Sequence, residues 1–190
     1  MSKKKIAVFA SGNGSNFEAI VKACVEGTVD AEVVLCVTDR PGAYVTERAA
    51  RAGVPMVEFR PKDYPSKRDF ELMLMHHLEE KEVDLICLAG YMRIIGETLL
   101  EAYPGRILNI HPSLLPAFRG ADAVGQALAY GVKVYGVTVH YVDATLDGGK
   151  IIAQAAISYE GNDRDDLEAM IHAREHILYP EAINRVLPTI

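Results

Sequence analysis

The opening of the chain narrows the fold most. Lys5-Ile6-Ala7-Val8-Phe9-Ala10 is a short apolar run that enters Ser11-Gly12-Asn13-Gly14-Ser15-Asn16. A helical stripe of Phe17, Ile20, Val21 and Cys24 follows, to about Glu26. Strand, glycine-rich turn and helix in succession make an α/β unit with an anion cradle, because the free backbone N–H groups of a helix start face the turn. The turn begins like Gly-x-Gly-x-x-Gly, but Phe17 stands where the third glycine belongs, and no Gly-Lys-Ser/Thr follows. A dinucleotide or a nucleoside triphosphate therefore fits poorly and a small phosphate monoester fits better. The alternative is a tight strand–helix turn with an Asn or Ser N-cap.

The alternation continues along the chain. Glu32–Val37 is a second strand, and Asp39 in the loop after it either holds a ribose hydroxyl or serves the turn. A helix over Tyr44–Ala52 ends at Gly53, and Val54–Phe59 is a third strand. A helix from Lys67 to Glu82 carries Phe70, Leu72, Met73, Leu74, Leu78 and Val83 as its core face. Asp84–Ala89 is almost continuously apolar, as a central parallel strand is. The loop Gly90–Gly96 that follows either lines a ligand pocket or staples its apolar residues onto a helix over Glu97–Tyr103.

Arg106–His111 is the next strand, ended by Pro112, which cannot donate to a ladder. Strand periodicity sends Asn109 and His111 to one face at the strand's carboxyl end, where open α/β sheets bind ligands. An amide that can donate to an oxyanion and an imidazole that can move a proton form a catalytic pair there. The bland alternative is an Asn serving loop backbone and a His capping a turn. After a helix over Asp122–Tyr130, Val134–Val142 and Ile151–Tyr159 follow one another directly, so the sheet is expected to end in antiparallel strands. The connection ends in Asp147-Gly148-Gly149, a tight turn by its chemistry. The last helix, Asp163–Val186, is expected to bend or break at Pro180. It contains His172-Ala173-Arg174-Glu175-His176, an inverted zinc-protease pattern without a downstream acidic third ligand. Adjacent His76 and His77 point to different sides of their helix.

The expected fold is α/β, a doubly wound, mostly parallel sheet ending in antiparallel strands, in a single domain over 1–190. The first strand at Lys5 leaves no room for a preceding domain. A formal net charge of −6 gives no footprint for nucleic acid or an anionic membrane. Cys24, Cys36 and Cys87 are widely spaced and read as reduced core residues, and no segment is long enough to span a membrane, so the expected location is cytoplasmic.

Ser11–Asn16, Ala89-Gly90-Tyr91-Met92-Arg93-Ile94, Asn109-Ile110-His111-Pro112-Ser113-Leu114-Leu115-Pro116 and Leu146-Asp147-Gly148-Gly149 occur in that order. Together they resemble the phosphoribosylglycinamide formyltransferases of purine biosynthesis, a family of folate-dependent formyl transferases, over nearly the whole chain. The resemblance implies transfer of a formyl group from 10-formyltetrahydrofolate to the amine of glycinamide ribonucleotide through a tetrahedral intermediate. It implies small-molecule substrates, a monomer or homodimer, and no metal, nucleic acid or membrane. Asn109, His111 and Asp147 would be catalytic, with Asp147 folding back to favour the charged form of His111. Gly14, Ser15, Asn16 and Glu175 would bind the ribonucleotide. Met92, Arg93, Ile94, Ile95, Asn109 and Asp143 would bind the folate, with Lys67 or Arg68 facing its acidic end. The chain stops at Ile190, short of the family's usual tail, and Phe118–Val124 lacks a histidine often found there.

Overall fold

A computed structural model describes residues 3–190. Its strands are β1 (Lys4–Phe9), β2 (Ala31–Thr38), β3 (Met56–Glu58), β4 (Leu85–Leu88), β5 (Ile107–His111), β6 (Val134–Tyr141) and β7 (Ile151–Ser158). The helices are α1 (Ser15–Val25), α2 (Tyr44–Ala52), α3 (Lys67–Glu80), α4 (Glu97–Ala102), α5 (Ala123–Tyr130) and α6 (Arg164–Val186). All seven strands form one sheet in the order β3-β2-β1-β4-β5-β6-β7. Pairing is parallel from β3 to β5 and antiparallel across β5–β6 and β6–β7. The expected doubly wound sheet with an antiparallel end is what forms.

Period two places alternate residues of each strand in different cores. Ile6, Val8, Leu85 and Cys87 face a cluster that α1, α2, α5 and α6 cover. Ala7, Phe9, Ile86 and Leu88 face a second cluster covered by α3 and α4. Both cores are dense with Val, Ile and Leu, as a sheet covered on both faces requires. Strand order reverses between β1 and β4, so the loops leaving these strands flank the crevice where such sheets hold ligands.

Three local expectations need correction. Leu72 is 44% exposed, and Glu71 lies on the buried stripe of α3 with Phe70, Leu74 and Leu78. Those four positions follow the helical repeat, and Leu72 falls outside it. Pro180 does not interrupt α6, which runs from Arg164 to Val186 with the proline inside. The strong apolar stripe Leu167, Ile171, Leu178, Tyr179, Ala182 and Ile183 packs on the sheet and outweighs the lost hydrogen bond. The third strand shrinks to Met56–Glu58, although Val54 and Phe59 stay buried beside it.

The three cysteines are free and buried, and burial pushes the Cys24 thiol up to about 11 and that of Cys36 up to about 12. Among the described residues, no helix is long and apolar enough to cross a membrane.

Candidate active site

The turn after β1 is shaped by one glycine and pinned by α2. Gly14 is the N-cap of α1 in the left-handed region, φ 77°, and no side chain caps the helix, so the alternative of an Asn or Ser cap is not what forms. A Cβ there would stand 2.5 Å from Val45 Cγ2 and 2.9 Å from the Val45 Cα, so glycine answers both the backbone angle and the close packing. Val45 N–H donates to the Gly12 carbonyl at 3.1 Å. Arg48 donates through Nε and Nη2 to the backbone and side-chain oxygens of Asn13, each at 2.8 Å, and pairs with Glu18. The first N–H groups of α1 have no helical partner and open toward the turn. Gly14→Ala is expected to cost at least about 1–2 kcal/mol for the left-handed angle alone. A thermal melt would then show a midpoint lowered by about 2–4 °C for each kcal/mol.

Asn16 follows on the first turn of α1. Its Nδ2 donates to Glu175 Oε2 at 2.8 Å, while its Oδ1 is buried with no partner. Glu175 is itself buried, which pushes its carboxyl above the ordinary range against the opposing donation from Asn16. One turn further along α6, the single hydrogen of the Tyr179 hydroxyl is shared between the carbonyls of Leu88 at 2.9 Å and Leu108 at 3.2 Å, which fixes this helix across β4 and β5. The Asn16–Glu175 contact thus brings Glu175 of α6 to the turn that holds Gly14, Ser15 and Asn16.

The loop after β4 is tied to that turn by a residue the sequence reading left open. Asp39, fully buried at the end of β2, accepts from Ser11 Oγ at 2.5 Å and from Arg93 Nε at 2.8 Å. Ser11 Oγ in turn accepts from the Met92 N–H at 2.8 Å. Met92 and Ile94 are 66% and 65% exposed, two large apolar side chains on one loop, while Ile95 turns into the second core. The loop therefore does both things weighed for it, presenting a surface and stapling onto α4.

Lys67 and Arg68 are both exposed at the start of α3, which Ser66 caps. Lys67 shares a helix face with Glu71, four residues on. Buried Glu71 accepts from the Gly96 N–H at 2.6 Å, so Lys67 is the one on the side of the 90–96 loop. Burial pushes the Glu71 carboxyl up, outweighing that donation and the charge of Lys67. A raised folded value means the fold takes up a proton more readily than the unfolded chain, so this contribution to stability is present in acid and lost as pH rises through the folded value. Glu71→Gln keeps an acceptor for Gly96 without the charge. Its melting midpoint is expected to equal or exceed that of the parent at neutral pH, with the difference closing on acidification.

The pair expected to be catalytic, Asn109 and His111, lies on β5. Asn109 and His111 share the face of the sheet that also carries Ile107, and β6 pairs Asn109 with His140 and His111 with Thr138. His111 is 6% exposed, with Nε2 2.8 Å from the Phe118 carbonyl and Nδ1 3.6 Å from Asp147 Oδ2. Both ring nitrogens therefore face oxygen acceptors. Asp147 is a turn residue, as its local sequence says, but at φ 47° it holds its carboxylate inward, accepting from the Gly120 N–H at 2.7 Å. A left-handed non-glycine residue is strained, and such strain recurs at functional sites. His140 completes the cluster and was not singled out beforehand. Its Nε2 is 3.2 Å from Asn109 Nδ2 and 3.9 Å from Asp147 Oδ1. Asp143, at the rim of the cluster, is exposed and accepts from the Thr145 N–H of its own loop.

An amide, two imidazoles and a carboxylate at the carboxyl end of a sheet can stabilise an oxyanion and move a proton. Residues 4–183 match the family model described as Formyl transferase, and the chain belongs to that family. Within it, the chain is 56% identical over 185 residues to the phosphoribosylglycinamide formyltransferase of Bacillus subtilis (strain 168), covering 97% of this chain and 95% of that protein. The solved structure of glycinamide ribonucleotide transformylase 1 from Geobacillus kaustophilus superposes with a TM-score of 0.94 at 55% identity, over 97% of this chain and 99% of that one. The trifunctional purine biosynthetic protein adenosine-3 of Drosophila pseudoobscura pseudoobscura is 42% identical over 184 residues, which are 95% of this chain but 14% of that protein.

Proposed function

We propose that this chain transfers the formyl group of 10-formyltetrahydrofolate to the amine of glycinamide ribonucleotide in purine biosynthesis, as a cytoplasmic enzyme acting on small molecules. The observation that carries this reading is the Asp147 carboxylate turned back to 3.6 Å from His111 Nδ1, beside Asn109. The donor turn of Gly14, Ser15 and Asn16 supports a ribose phosphate as ligand, and the unpartnered Asn16 Oδ1 supports a ligand N–H or O–H beside Glu175. Exposed Met92 and Ile94, with Arg93 held by Asp39, support a flat folate ring system with an acidic tail, toward which Lys67 is the better placed cation.

The amine nitrogen attacks the formyl carbon, and the carbonyl electron pair moves onto oxygen. Asn109 donates an N–H to that oxyanion. His111 gives it the Nε2 hydrogen that the Phe118 carbonyl takes in the free protein, and Asp147 supplies the counter-charge to the imidazolium. The carbon–N10 bond then breaks, the amine proton passes to N10, and formylated ribonucleotide and tetrahydrofolate leave. No covalent enzyme intermediate is needed.

The test mixes purified protein with glycinamide ribonucleotide and a 10-formyl folate analogue and follows release of the deformylated folate by absorbance. Release that requires the ribonucleotide is expected. Equal release without it would make the protein a hydrolase.

A further inference from the structure

His140 has no role in the reaction as set out above, although it is 2% exposed at the centre of the cluster. Its surroundings define its tautomer. Nδ1 lies 2.8 Å from the Tyr141 carbonyl, and a carbonyl only accepts, so Nδ1 carries the hydrogen. In a neutral ring Nε2 is then a bare lone pair, and the Asn109 Nδ2 atom 3.2 Å away is its donor. A carboxamide has two ends of nearly the same shape and opposite hydrogen-bonding sense, so packing alone does not choose between them. A half-turn of the Asn109 amide would set Oδ1 against the His140 lone pair and move the donor from its place.

We propose that His140 is a positioning residue for formyl transfer, its Nε2 lone pair holding one N–H of Asn109 so that the other stays directed to the formyl oxygen. This rests on the reaction proposed above and extends it to a residue acting through Asn109. The role requires the ring to be neutral. The groups that face it are Asn109 and His111 from β5, Asp143 and Asp147 from the loop after β6, and the Tyr141 carbonyl of its own strand. Burial, the largest influence, holds the ring below the ordinary histidine value, and His111 acts in the same direction against the carbonyl and the two carboxylates. A protonated ring would present a hydrogen to Asn109 in place of an acceptor and reverse the amide.

The experiment is a double-mutant cycle on formyl transfer with Asn109→Ala and His140→Leu, with His140→Gln beside it. Loss of one oxyanion donor typically costs about 10²–10³ in rate, so His140→Leu should lower kcat by about 10- to 100-fold. KM for either substrate should change little. His140→Gln, whose side-chain oxygen reaches the place of Nε2, should restore most of the rate. On the Asn109→Ala background the His140→Leu change should cost less than about 3-fold, because coupled residues are not additive. If the leucine variant does not fold, His140→Asn takes its place, keeping a donor for the Tyr141 carbonyl without reaching Asn109. Additive losses, a glutamine variant as impaired as the leucine variant, or a raised KM at unchanged kcat would each overturn the proposal. Full activity in the His140 variants overturns this inference alone, whereas a parent protein without amine-dependent turnover overturns the reaction and this inference with it.

Discussion

Asp147→Asn should lower kcat by about 10²–10⁴, the range of a proton-transfer arrangement, with KM for both substrates changed far less. The substitution is isosteric, and an asparagine oxygen can still accept from the Gly120 N–H that Asp147 Oδ2 now takes at 2.7 Å. The left-handed angle of 47° is also tolerated by asparagine. What disappears is the negative charge 3.6 Å from His111 Nδ1 and 3.9 Å from His140 Nε2. The imidazolium that His111 must carry while the formyl oxygen holds a negative charge then has no counter-ion in a site where His111 is 6% exposed. Steady-state rates on the parent and the variant at matched melting midpoints check this. An unchanged kcat would leave Asp147 as a turn residue only.

Asn109→Ala is the second large effect, about 10²–10³ in kcat. The backbone of β5 is held on both sides, to β4 through Leu88↔Asn109 and to β6 through Asn109↔His140, so the strand survives removal of one side chain. The amide donor serves the charge that develops on the formyl oxygen, so the loss should fall on kcat and not be recovered by more substrate. A side effect is the orphaning of the buried His140 Nε2, worth about 1–3 kcal/mol of stability. The variant should therefore melt lower yet still bind both substrates. A loss confined to KM would move Asn109 from the transition state to ground-state binding.

What could be read in advance, and what could not, divides along the range of the interactions. Strand alternation is local, and in β1 it sends Ile6 and Val8 to one core and Ala7 and Phe9 to the other. The same rule put Asn109 and His111 side by side before any partner strand was known. His140 was out of reach, because Thr138-Val139-His140 reads as ordinary strand. Only the β5–β6 register, across 31 residues, sets its ring against the Asn109 amide. Asp39 was a loop aspartate until the sheet order brought Ser11 and Arg93, 28 and 54 residues distant, onto its two oxygens. The inward carboxylate of Asp147 depends on the Gly120 N–H, 27 residues earlier, whereas the tightness of its turn was visible in Asp-Gly-Gly. At Leu72 hydrophobicity misled, since the stripe of α3 passes through Glu71 instead. At Pro180 the intrinsic preference gave way to packing along α6.

The most direct measurement follows the formyl carbon itself. Folate carrying a ¹³C label in its formyl group is mixed with glycinamide ribonucleotide and the purified protein, and the product is read by ¹³C NMR. The account predicts the label in an amide formyl on the ribonucleotide, one for each tetrahydrofolate released, and almost none from the Asp147→Asn variant on the same timescale. Label appearing as free formate, at a rate indifferent to the ribonucleotide, would contradict it.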